Sequence, residues 1–372
     1  MNVVVAIDSF KGSMTSLEAG GAVADGIKAV CDAEVAVCPI ADGGEGTVDA
    51  LVTGCGGRLM TTIVTGPLGE PVEAKWGILS EGSRKIAIIE MAEAAGIALL
   101  KREQLNPYVT TTYGVGELIM AAFNEGCRKF IIGIGGSSTN DGGVGMLQAL
   151  GFKFLDANGN QIERGAKGLG SLISISEKDV DAKLLDSIFL VACDVKNPLC
   201  GEQGCSAVFG PQKGATPEMI KNMDQWLYEY AMISGGDLDY PGTGAAGGLG
   251  FAFYNFLGAK LKSGIEIVLE ETKIEEKIKN ADIVVTGEGR MDSQTIMGKA
   301  PTGVAAIARK YDKKVIAFCG CAADDAAVVN DYGIDAYFTI LQNVVSLDEA
   351  MDKDTAKKNM TATVSQVFRL LV

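Results

Sequence analysis

The sequence predicts an α/β protein in which one discontinuous domain, formed by both ends of the chain, carries a second, inserted domain. Both ends alternate strand-like and helix-like apolar patterns. Between them lie short strand runs separated by Gly-Pro and Glu-Gly turns, which indicate an antiparallel meander. The 372 residues suffice for two domains of ordinary size. We expect residues 1–60 and 261–372 to form the first domain and residues 61–260 the second.

The N-terminal part begins with a β-α-β pattern. Residues 2–8 form an apolar strand run, and Thr15 and Glu18 fit a capping box that opens a helix. Residues 34–40 repeat the strand pattern, and a glycine-rich loop then leads into a helix near residues 48–52. The first domain therefore starts as a parallel unit.

The remaining elements follow from apolar periodicity and turn signals. In the inserted part we expect strands at residues 59–65, 72–79, 86–90, 129–134 and 189–193, and helices near 116–124, 144–150 and 218–232. In the last third we expect strands at residues 282–286, 314–319 and 335–340, a helix at 302–311 behind Pro301, and a helical tail at 355–371.

Composition removes several classes of protein. The formal charge of −14 argues against a nucleic-acid binder that works by bulk attraction. The chain has no histidine, which excludes Ser-His-Asp triads, Cys-His dyads and His-ligated zinc. Acid/base chemistry therefore falls to Asp, Glu, Lys, Tyr or Cys. The 48 glycines indicate loops with positive φ or with close approach of the backbone to a ligand.

The cysteines and the apolar runs bear on location. Nine cysteines without a C-x-x-C pair favour reduced thiols in a cytosolic protein. A zinc site from Cys200, Cys205, Cys319 and Cys321 is the alternative, with unusual spacings. The first ten residues are typical of a strand and not of a signal peptide, and no apolar run reaches the roughly 20 residues that span a bilayer. We expect a soluble, cytoplasmic protein.

Several loops share one design, in which an apolar strand is followed by Gly, Ser/Thr and charged residues and then by a helix. Such loops lie at the carboxyl ends of strands, where α/β proteins bind ligands, and the following helix start attracts anions. In residues 8–13, Lys11 suits a phosphate or a carboxylate, with a plain surface turn as the alternative. In residues 41–47, Asp42 and Glu45 stand among three glycines, and a plain turn is again the alternative.

Two further loops carry stronger signals. Residues 135–143 combine four glycines, three hydroxyls and Asp141, which indicates a backbone cradle for phosphate and a carboxylate that could reach a metal. Residues 285–299 gather Glu288, Arg290, Asp292 and Lys299, in which an arginine fork could clamp an anion. A flexible loop and a solvated salt-bridge cluster are the respective alternatives.

Together these loops supply the parts for phosphoryl transfer to a hydroxyl, in which positioning and charge neutralisation dominate. No Walker A motif is present. A nicotinamide dehydrogenase is a weaker alternative, because the G-x-G-x-x-G at residues 242–247 follows no clear strand. A non-catalytic nucleotide or anion sensor is the other alternative.

Eight segments, in this order, resemble the bacterial glycerate kinase family of the type that yields 2-phosphoglycerate. They are DSFKGS (8–13), ADGGEGT (41–47), NPYVTTTYGVGELI (106–119), GGSSTNDGG (135–143), ACDVKNPLCG (192–201), VFGPQKGA (208–215), GAAGGLG (244–250) and GEGRMDSQTIMGKAP (287–301). The resemblance covers nearly the whole chain. Ser138 stands where many members have alanine.

The resemblance implies ATP-dependent phosphorylation of D-glycerate in organic-acid metabolism, with Mg²⁺ and with small molecules as the binding partners. A kinase for another small hydroxy or sugar acid, or one that yields 3-phosphoglycerate, is the alternative. It also implies a flavodoxin-like or Rossmann-like parallel-sheet domain, an inserted mixed-sheet domain likened to restriction endonucleases, and a site in the cleft between them. We expect a monomer or homodimer that binds neither nucleic acid nor membranes.

Residue roles follow as hypotheses. Asp194 is the first choice for the base, and Asp8, Asp42 and Asp292 are its rivals. Lys11 and Arg290 would hold the glycerate carboxylate or the γ-phosphate. The expected substrate-binding residues are Asp8, Ser9, Asp42, Glu45 and Asp292. The expected nucleotide-binding residues are Gly135, Gly136, Ser137, Ser138, Thr139, Asn140 and Lys299, and the expected metal ligands are Asp141 and Glu288.

Overall fold

A computed structural model describes residues 1–41, 46–82 and 84–372. The strands are β1 (Asn2–Val5), β2 (Glu34–Val37), β3 (Arg58–Thr65), β4 (Pro71–Glu81), β5 (Arg84–Glu90), β6 (Lys129–Gly133), β7 (Lys153–Leu155), β8 (Ser174–Ser176), β9 (Ile188–Ala192), β10 (Lys260–Lys262), β11 (Ile283–Met291), β12 (Lys314–Ala322) and β13 (Ala336–Thr339).

The α-helices are α1 (Ser16–Lys28), α2 (Thr47–Gly54), α3 (Ala92–Ala95), α4 (Tyr113–Asn124), α5 (Val144–Ala149), α6 (Ala166–Leu169), α7 (Ala182–Leu185), α8 (Cys205–Phe209), α9 (Pro217–Ser234), α10 (Ala245–Leu257), α11 (Gly264–Glu271), α12 (Ile274–Lys279), α13 (Ala300–Lys310), α14 (Leu347–Met351) and α15 (Lys353–Arg369). None of the described helices is both long and apolar enough to cross a membrane.

Contacts divide the chain into two compact units. Unit 1 contains Met1–Asp42, Asp49–Gly56 and Ile265–Val372, and unit 2 contains Gly43–Val48 and Gly57–Gly264. The domain limits that we expect from the sequence, at 1–60, 61–260 and 261–372, stay a prediction. The α/β class, with one parallel and one mixed sheet, is confirmed.

Unit 1 is built on a five-stranded sheet with the order β13-β12-β11-β1-β2. All four strand pairings in it are parallel. Counted within the unit, this is the 2-1-3-4-5 order of flavodoxin-like sheets. After β1, the next strand, β2, is added on one side of it, and β11, β12 and β13 are later added in turn on the other side. The strand order therefore reverses between β1 and β11, where such sheets bind ligands.

Helix α1 of unit 1 begins and packs as its local sequence predicts. The predicted capping box is present, because Thr15 Oγ1 accepts from the Glu18 N–H and Glu18 Oε2 accepts from the Thr15 N–H. The helix packs on α15 at close range, where a Cβ on Gly26 would lie 2.7 Å from the carbonyl oxygen of Thr361. Ser365 also donates its hydroxyl to Gly26 O at 3.0 Å. The C-terminal helix is thus held against α1.

Unit 2 contains a six-stranded mixed sheet with the order β10-β9-β6-β5-β4-β3. The predicted meander is correct, since β3, β4 and β5 pair antiparallel. From β5 onwards the pairing is parallel. The register aligns Glu90 with Gly133, Gly133 with Ala192, and Ala192 with Lys262. The segments that follow these four residues therefore leave the sheet at one edge.

The glycine-rich sequence of residues 242–250 is typical of a loop, whereas the structure places the start of a helix there. Helix α10 begins there with left-handed backbone at Ala246, Gly247 and Gly248, with φ values of 52°, 69° and 89°. A Cβ at Gly247 would lie only 2.0 Å from the carbonyl oxygen of Thr139. The glycines therefore let this segment pack its backbone directly on the loop that follows β6.

Candidate active site

A pocket of about 460 Å³ lies at the carboxyl ends of the strands in unit 1. Its lining draws on the segments after β1 and β13 and on the ends of β11 and β12, so it lies at the point where the strand order reverses. Three cationic and two acidic side chains share the lining, namely Lys11, Arg290, Lys299, Asp8 and Glu288. An apolar wall is formed by Phe10, Ile340, Leu341, Leu347 and Met351.

Asp8 continues the line of β1 and is largely buried. Its N–H donates to Gly287 O at 2.9 Å, which fixes it against the neighbouring strand β11. Its Oδ1 accepts from the N–H of Ser9 at 2.7 Å. Ser9 is half-buried and also lines the pocket. The expected substrate-binding pair Asp8 and Ser9 is thus brought into one pocket with the cations.

A connected set of charged groups surrounds Glu288 in β11. Thr295 donates its hydroxyl to Glu288 Oε1 at 2.5 Å, and Lys299 Nζ lies 3.3 Å from Oε2. Asp292 links to this set, since its Oδ1 lies 3.9 Å from Lys299 Nζ and its Oδ2 lies 3.3 Å from Arg290 Nε. The structure therefore brings together all four charged residues of the 285–299 segment. Strand β11 extends beyond the predicted 282–286 to Met291, so Glu288 and Arg290 lie within the strand and not in a loop after it.

Burial governs the electrostatics of this set. The pKa of Glu288 is raised, because burial removes its carboxylate from water. The hydrogen bond from Thr295 and the charge of Lys299 oppose this rise. By contrast, the side chain of Arg290 is 69% exposed. The set therefore has a fixed, buried end at Glu288 and an open guanidinium that can turn towards a ligand.

In unit 2, the aligned strand ends carry Glu90, residues 135–143 and Asp194 to one edge of the mixed sheet. Glu90 Oε1 accepts from the N–H of Val48 at 2.8 Å and is largely buried. Asp194 is exposed, and its Oδ1 accepts from the N–H of Gly264 at 3.1 Å. The expected base is therefore accessible, and the N–H of Gly264 helps to orient its carboxylate.

The composition of residues 135–143 indicates a backbone cradle for phosphate, with a flexible loop as the alternative. Gly135 and Gly136 are exposed, and among the described residues neither donates its N–H to a partner. The three hydroxyls further along the loop are buried, and two of them form hydrogen bonds within the protein. Ser138 donates to Ala95 O at 2.9 Å, and Ser137 accepts from Lys213 at 2.8 Å. The loop therefore offers backbone N–H groups to a ligand, and its side chains hold its shape.

Asp141 has a carboxylate with no exposed surface. Its Oδ2 accepts from the N–H and the hydroxyl of Thr112 at 2.8 and 2.9 Å and from the N–H of Gly145 at 3.3 Å. Its Oδ1 accepts from the N–H of Gly143 at 3.2 Å. Burial raises its pKa, and these hydrogen bonds oppose the rise. These contacts tie the loop to the start of α4 and α5.

Sequence reasoning missed two buried residues that support these sites, Thr295 and Lys213. Both lie inside segments that carried the family resemblance, but neither bears a pattern of its own. The signal that could have singled out Lys213 is its place in a glycine-rich segment, VFGPQKGA, between α8 and α9. The expected ligands Asp42 and Glu45 lie outside the described residues.

The chemistry of a metal ion can be weighed against these groups. Among the described residues, no three acidic or thiol side chains gather as a metal site, and all nine cysteines are free. Mg²⁺ in phosphoryl-transfer enzymes commonly needs only one or two carboxylates besides substrate phosphates. Asp8 and Glu288 are two carboxylates that line one pocket, and the two oxygens of Glu288 contact Thr295 and Lys299. Asp141 does not suit a metal ion, because its oxygens are buried and already accept four hydrogen bonds.

Comparison with known proteins agrees with this geometry. The model of the glycerate kinase family matches residues 3–372. Glycerate 2-kinase of Escherichia coli (strain K12) is 48% identical over 376 residues, covering 98% of each chain. Glycerate kinase of Haemophilus influenzae is 47% identical over 377 residues, covering 100% of this chain and 99% of the relative.

A crystal structure from Salmonella typhimurium LT2, assigned as a glycerate kinase 2, has a TM-score of 0.91 and 46% identity. The match covers 100% of this chain and 98% of that one. The likeness therefore extends over both units and over every segment that carries the sites. The chain belongs to the glycerate kinase family, which makes it a kinase with glycerate as acceptor and implies ATP as the phosphoryl donor.

Proposed function

We propose that this chain transfers the γ-phosphoryl group of ATP to the 2-hydroxyl of D-glycerate. The observation that carries the proposal is the pocket at the reversal point of the parallel sheet, where Lys11, Arg290 and Lys299 meet Asp8 and Glu288. Phosphoryl transfer needs little covalent chemistry from the protein and depends on positioned cations and carboxylates. Because the chain lacks histidine, these are the groups available for it.

The size and the charges of the pocket suit anionic substrates. Its volume of about 460 Å³ exceeds what a three-carbon acid fills, which leaves room for phosphoryl groups of ATP beside the glycerate. Arg290 is exposed, and its planar fork suits a carboxylate or a phosphate. Lys11 lies beside the start of α1 and adds a compact charge. In this proposal Lys11 and Arg290 orient glycerate and neutralise charge that develops on the transferred group.

Carboxylates provide the proton acceptor and the place for a cation. Asp194 remains the first choice for the base that accepts the proton of the glycerate hydroxyl, with Asp8, Asp42 and Asp292 as rivals. Glu288, with Asp8 beside it, would hold Mg²⁺, which neutralises phosphoryl oxygens when bound. We propose a structural role for Asp141 in place of the expected metal contact. For residues 135–140 we propose that the N–H groups of Gly135 and Gly136 contact nucleotide phosphate.

One experiment tests both the reaction and its regiochemistry. The purified chain is incubated with ATP, Mg²⁺ and D-glycerate, and the product is identified by ³¹P NMR against both phosphoglycerates. We expect 2-phosphoglycerate. Formation of 3-phosphoglycerate would correct the position, and a lack of ATP-dependent product would refute the function. A panel of other small hydroxy and sugar acids, read by ADP release, identifies any better acceptor.

Two properties of the whole protein belong to the same proposal. We propose a cytoplasmic location, supported by nine free thiols of the kind that reducing compartments preserve. We propose a monomer or homodimer that acts on small molecules and not on nucleic acid, supported by the net charge of −14. Sedimentation analysis of the purified chain measures the oligomeric state directly.

A further inference from the structure

A lysine lies inside unit 2, directly behind the loop that follows β6. Lys213, in the turn between α8 and α9, is 1% exposed. Its Nζ donates to Ser137 Oγ at 2.8 Å and to Thr139 O at 2.6 Å. Among the described residues it forms no ion pair within salt-bridge distance. A fully buried ammonium that bonds only neutral oxygens is rare, because burial of a charge is costly unless it is compensated.

The partners of this ammonium all belong to one short segment. Besides the two bonded oxygens, Thr139 Oγ1 and Asn140 Oδ1 are buried and have no hydrogen-bond partner among the described residues. The segment therefore buries several oxygens, two of which accept hydrogen bonds from the ammonium. Asp141 continues the segment and contributes a negative charge from farther away.

The ammonium also bonds the residue that adjoins the exposed part of the loop. Ser137 directly follows Gly135 and Gly136, which are exposed and offer their N–H groups. Gly136 has a φ of +72°, so the chain reverses just before the residue that Lys213 holds. A fixed Ser137 therefore fixes the direction in which the two N–H groups point.

We propose that the ammonium of Lys213 acts as a built-in monovalent cation that holds residues 137–139 and thereby positions the phosphate-binding N–H groups of Gly135 and Gly136. Lys213 is thus a positioning residue and touches no substrate. The inference rests on the proposed function, in which this loop contacts nucleotide phosphate. The ammonium that would hold the loop comes from a distant segment, so the composition of the loop itself does not reveal it.

Substitution separates charge from bulk. Lys213→Met keeps the length of the side chain and removes the charge, while Lys213→Arg keeps the charge. We expect Lys213→Met to raise the KM for ATP by about 10- to 100-fold, as loss of hydrogen bonds to a charged group does, with a smaller change in the KM for glycerate. Lys213→Arg should recover part of this loss. Lys221→Met, at an exposed position on α9, is the matched control and should behave as the parent.

Chemical rescue tests the cation role itself. Lys213→Ala leaves a space beside Ser137 Oγ and Thr139 O, and added ammonium, potassium or propylammonium ions should restore ATP binding at least several-fold. Tetramethylammonium at equal ionic strength should not, because it donates no hydrogen bond and is too large. A folded Lys213→Ala variant that no small cation restores would overturn the proposal, and so would a parental KM for ATP in Lys213→Met.

The parent enzyme supplies a test that needs no folded alanine variant. Burial lowers the pKa of Lys213 to about 8, while Cys205 and Asp141 oppose that shift. Burial raises the pKa of Cys205 to about 11 and that of Tyr230 well above 10, so neither titrates in the same range. We expect kcat/KM for ATP to fall above about pH 8 in the parent, and at higher pH in Lys213→Arg, whose guanidinium stays charged. Coincident profiles would contradict the inference.

A readout without turnover separates this inference from the proposed function. Amide hydrogen exchange of residues 135–140 should be faster in Lys213→Met than in the parent, and unchanged in Lys221→Met. If the parent makes no phosphoglycerate but this difference is seen, the proposed function fails and the loop support stands. If activity is present and exchange and KM are both unchanged, the loop support fails alone.

Discussion

Removal of the hydroxyl of Thr295 should weaken both the stability of unit 1 and the pocket beside it. Thr295 is fully buried, donates to Glu288 Oε1 at 2.5 Å and accepts from the N–H of Asp292 at 3.1 Å. Thr295→Val keeps the shape and leaves the buried carboxylate without this donor. Loss of a hydrogen bond to a charged group costs about 1.5–3 kcal/mol, and an unpaired amide adds up to about 1 kcal/mol. We expect a loss of about 2–4 kcal/mol.

Urea unfolding measures this loss as a lower midpoint with an unchanged slope. Thr295→Ser keeps the hydroxyl and should stay within about 1 kcal/mol of the parent. Thr339→Val, at an exposed position in β13, is the matched control. The pKa of Glu288, which burial already raises, should rise further without the donor. An unfolding free energy of Thr295→Val within about 0.5 kcal/mol of the parent would refute the reasoning.

Three further changes test other contacts. Arg290→Lys keeps the charge but loses the planar guanidinium, so KM for glycerate or ATP should rise about tenfold or more. Unchanged KM values would refute the role of Arg290 as an anion clamp. Asp194→Asn should abolish kcat with ATP binding kept, and near-normal turnover would exclude it as base. Desolvation raises the pKa of Glu18, but hydrogen bonds from Lys353, the Thr15 N–H and Lys357 bring it down to about 2. Glu18→Gln should therefore cost about 1–2 kcal/mol at pH 7, a difference that vanishes as the pH falls from 4.5 to 2; a constant difference would contradict this.

Elements with strong periodicity could be predicted from the sequence, and those shaped by close backbone contact could not. Helix α1 carries its capping box and apolar spacing in its own residues, and the structure confirms both. Helix α10 starts with three left-handed residues whose glycines pack on Thr139 and Gly142. From the local sequence these residues are typical of a loop, because the residues that require glycine here lie more than a hundred positions earlier in the chain.

The same limit applies to the sites. The charged residues of the 285–299 segment could be predicted as a group, since ligand-binding residues of α/β proteins lie at the carboxyl ends of the strands, and the structure brings them together. The length of β11 could not, because it continues through Glu288 and Arg290 to Met291. The hydroxyls of residues 137–139 show the reverse case. Hydroxyls among glycines are typical of a phosphate-binding loop, yet two of these three form hydrogen bonds inside the protein, one with the carbonyl of Ala95 and one with the ammonium of Lys213. Which side of a loop faces solvent depends on partners from distant segments.

The charge of the pocket explains why a net charge of −14 is compatible with anionic substrates. Three cations and two carboxylates line it, which leaves one formal positive charge, and surface charges beyond about 8 Å are largely screened at physiological salt. ATP carries more negative charge than this lining can neutralise. We therefore expect turnover to require a divalent cation that accompanies the nucleotide, and excess EDTA to abolish it while Mg²⁺ in excess of the EDTA restores it. Full activity in EDTA would show that the lysines and the arginine suffice alone.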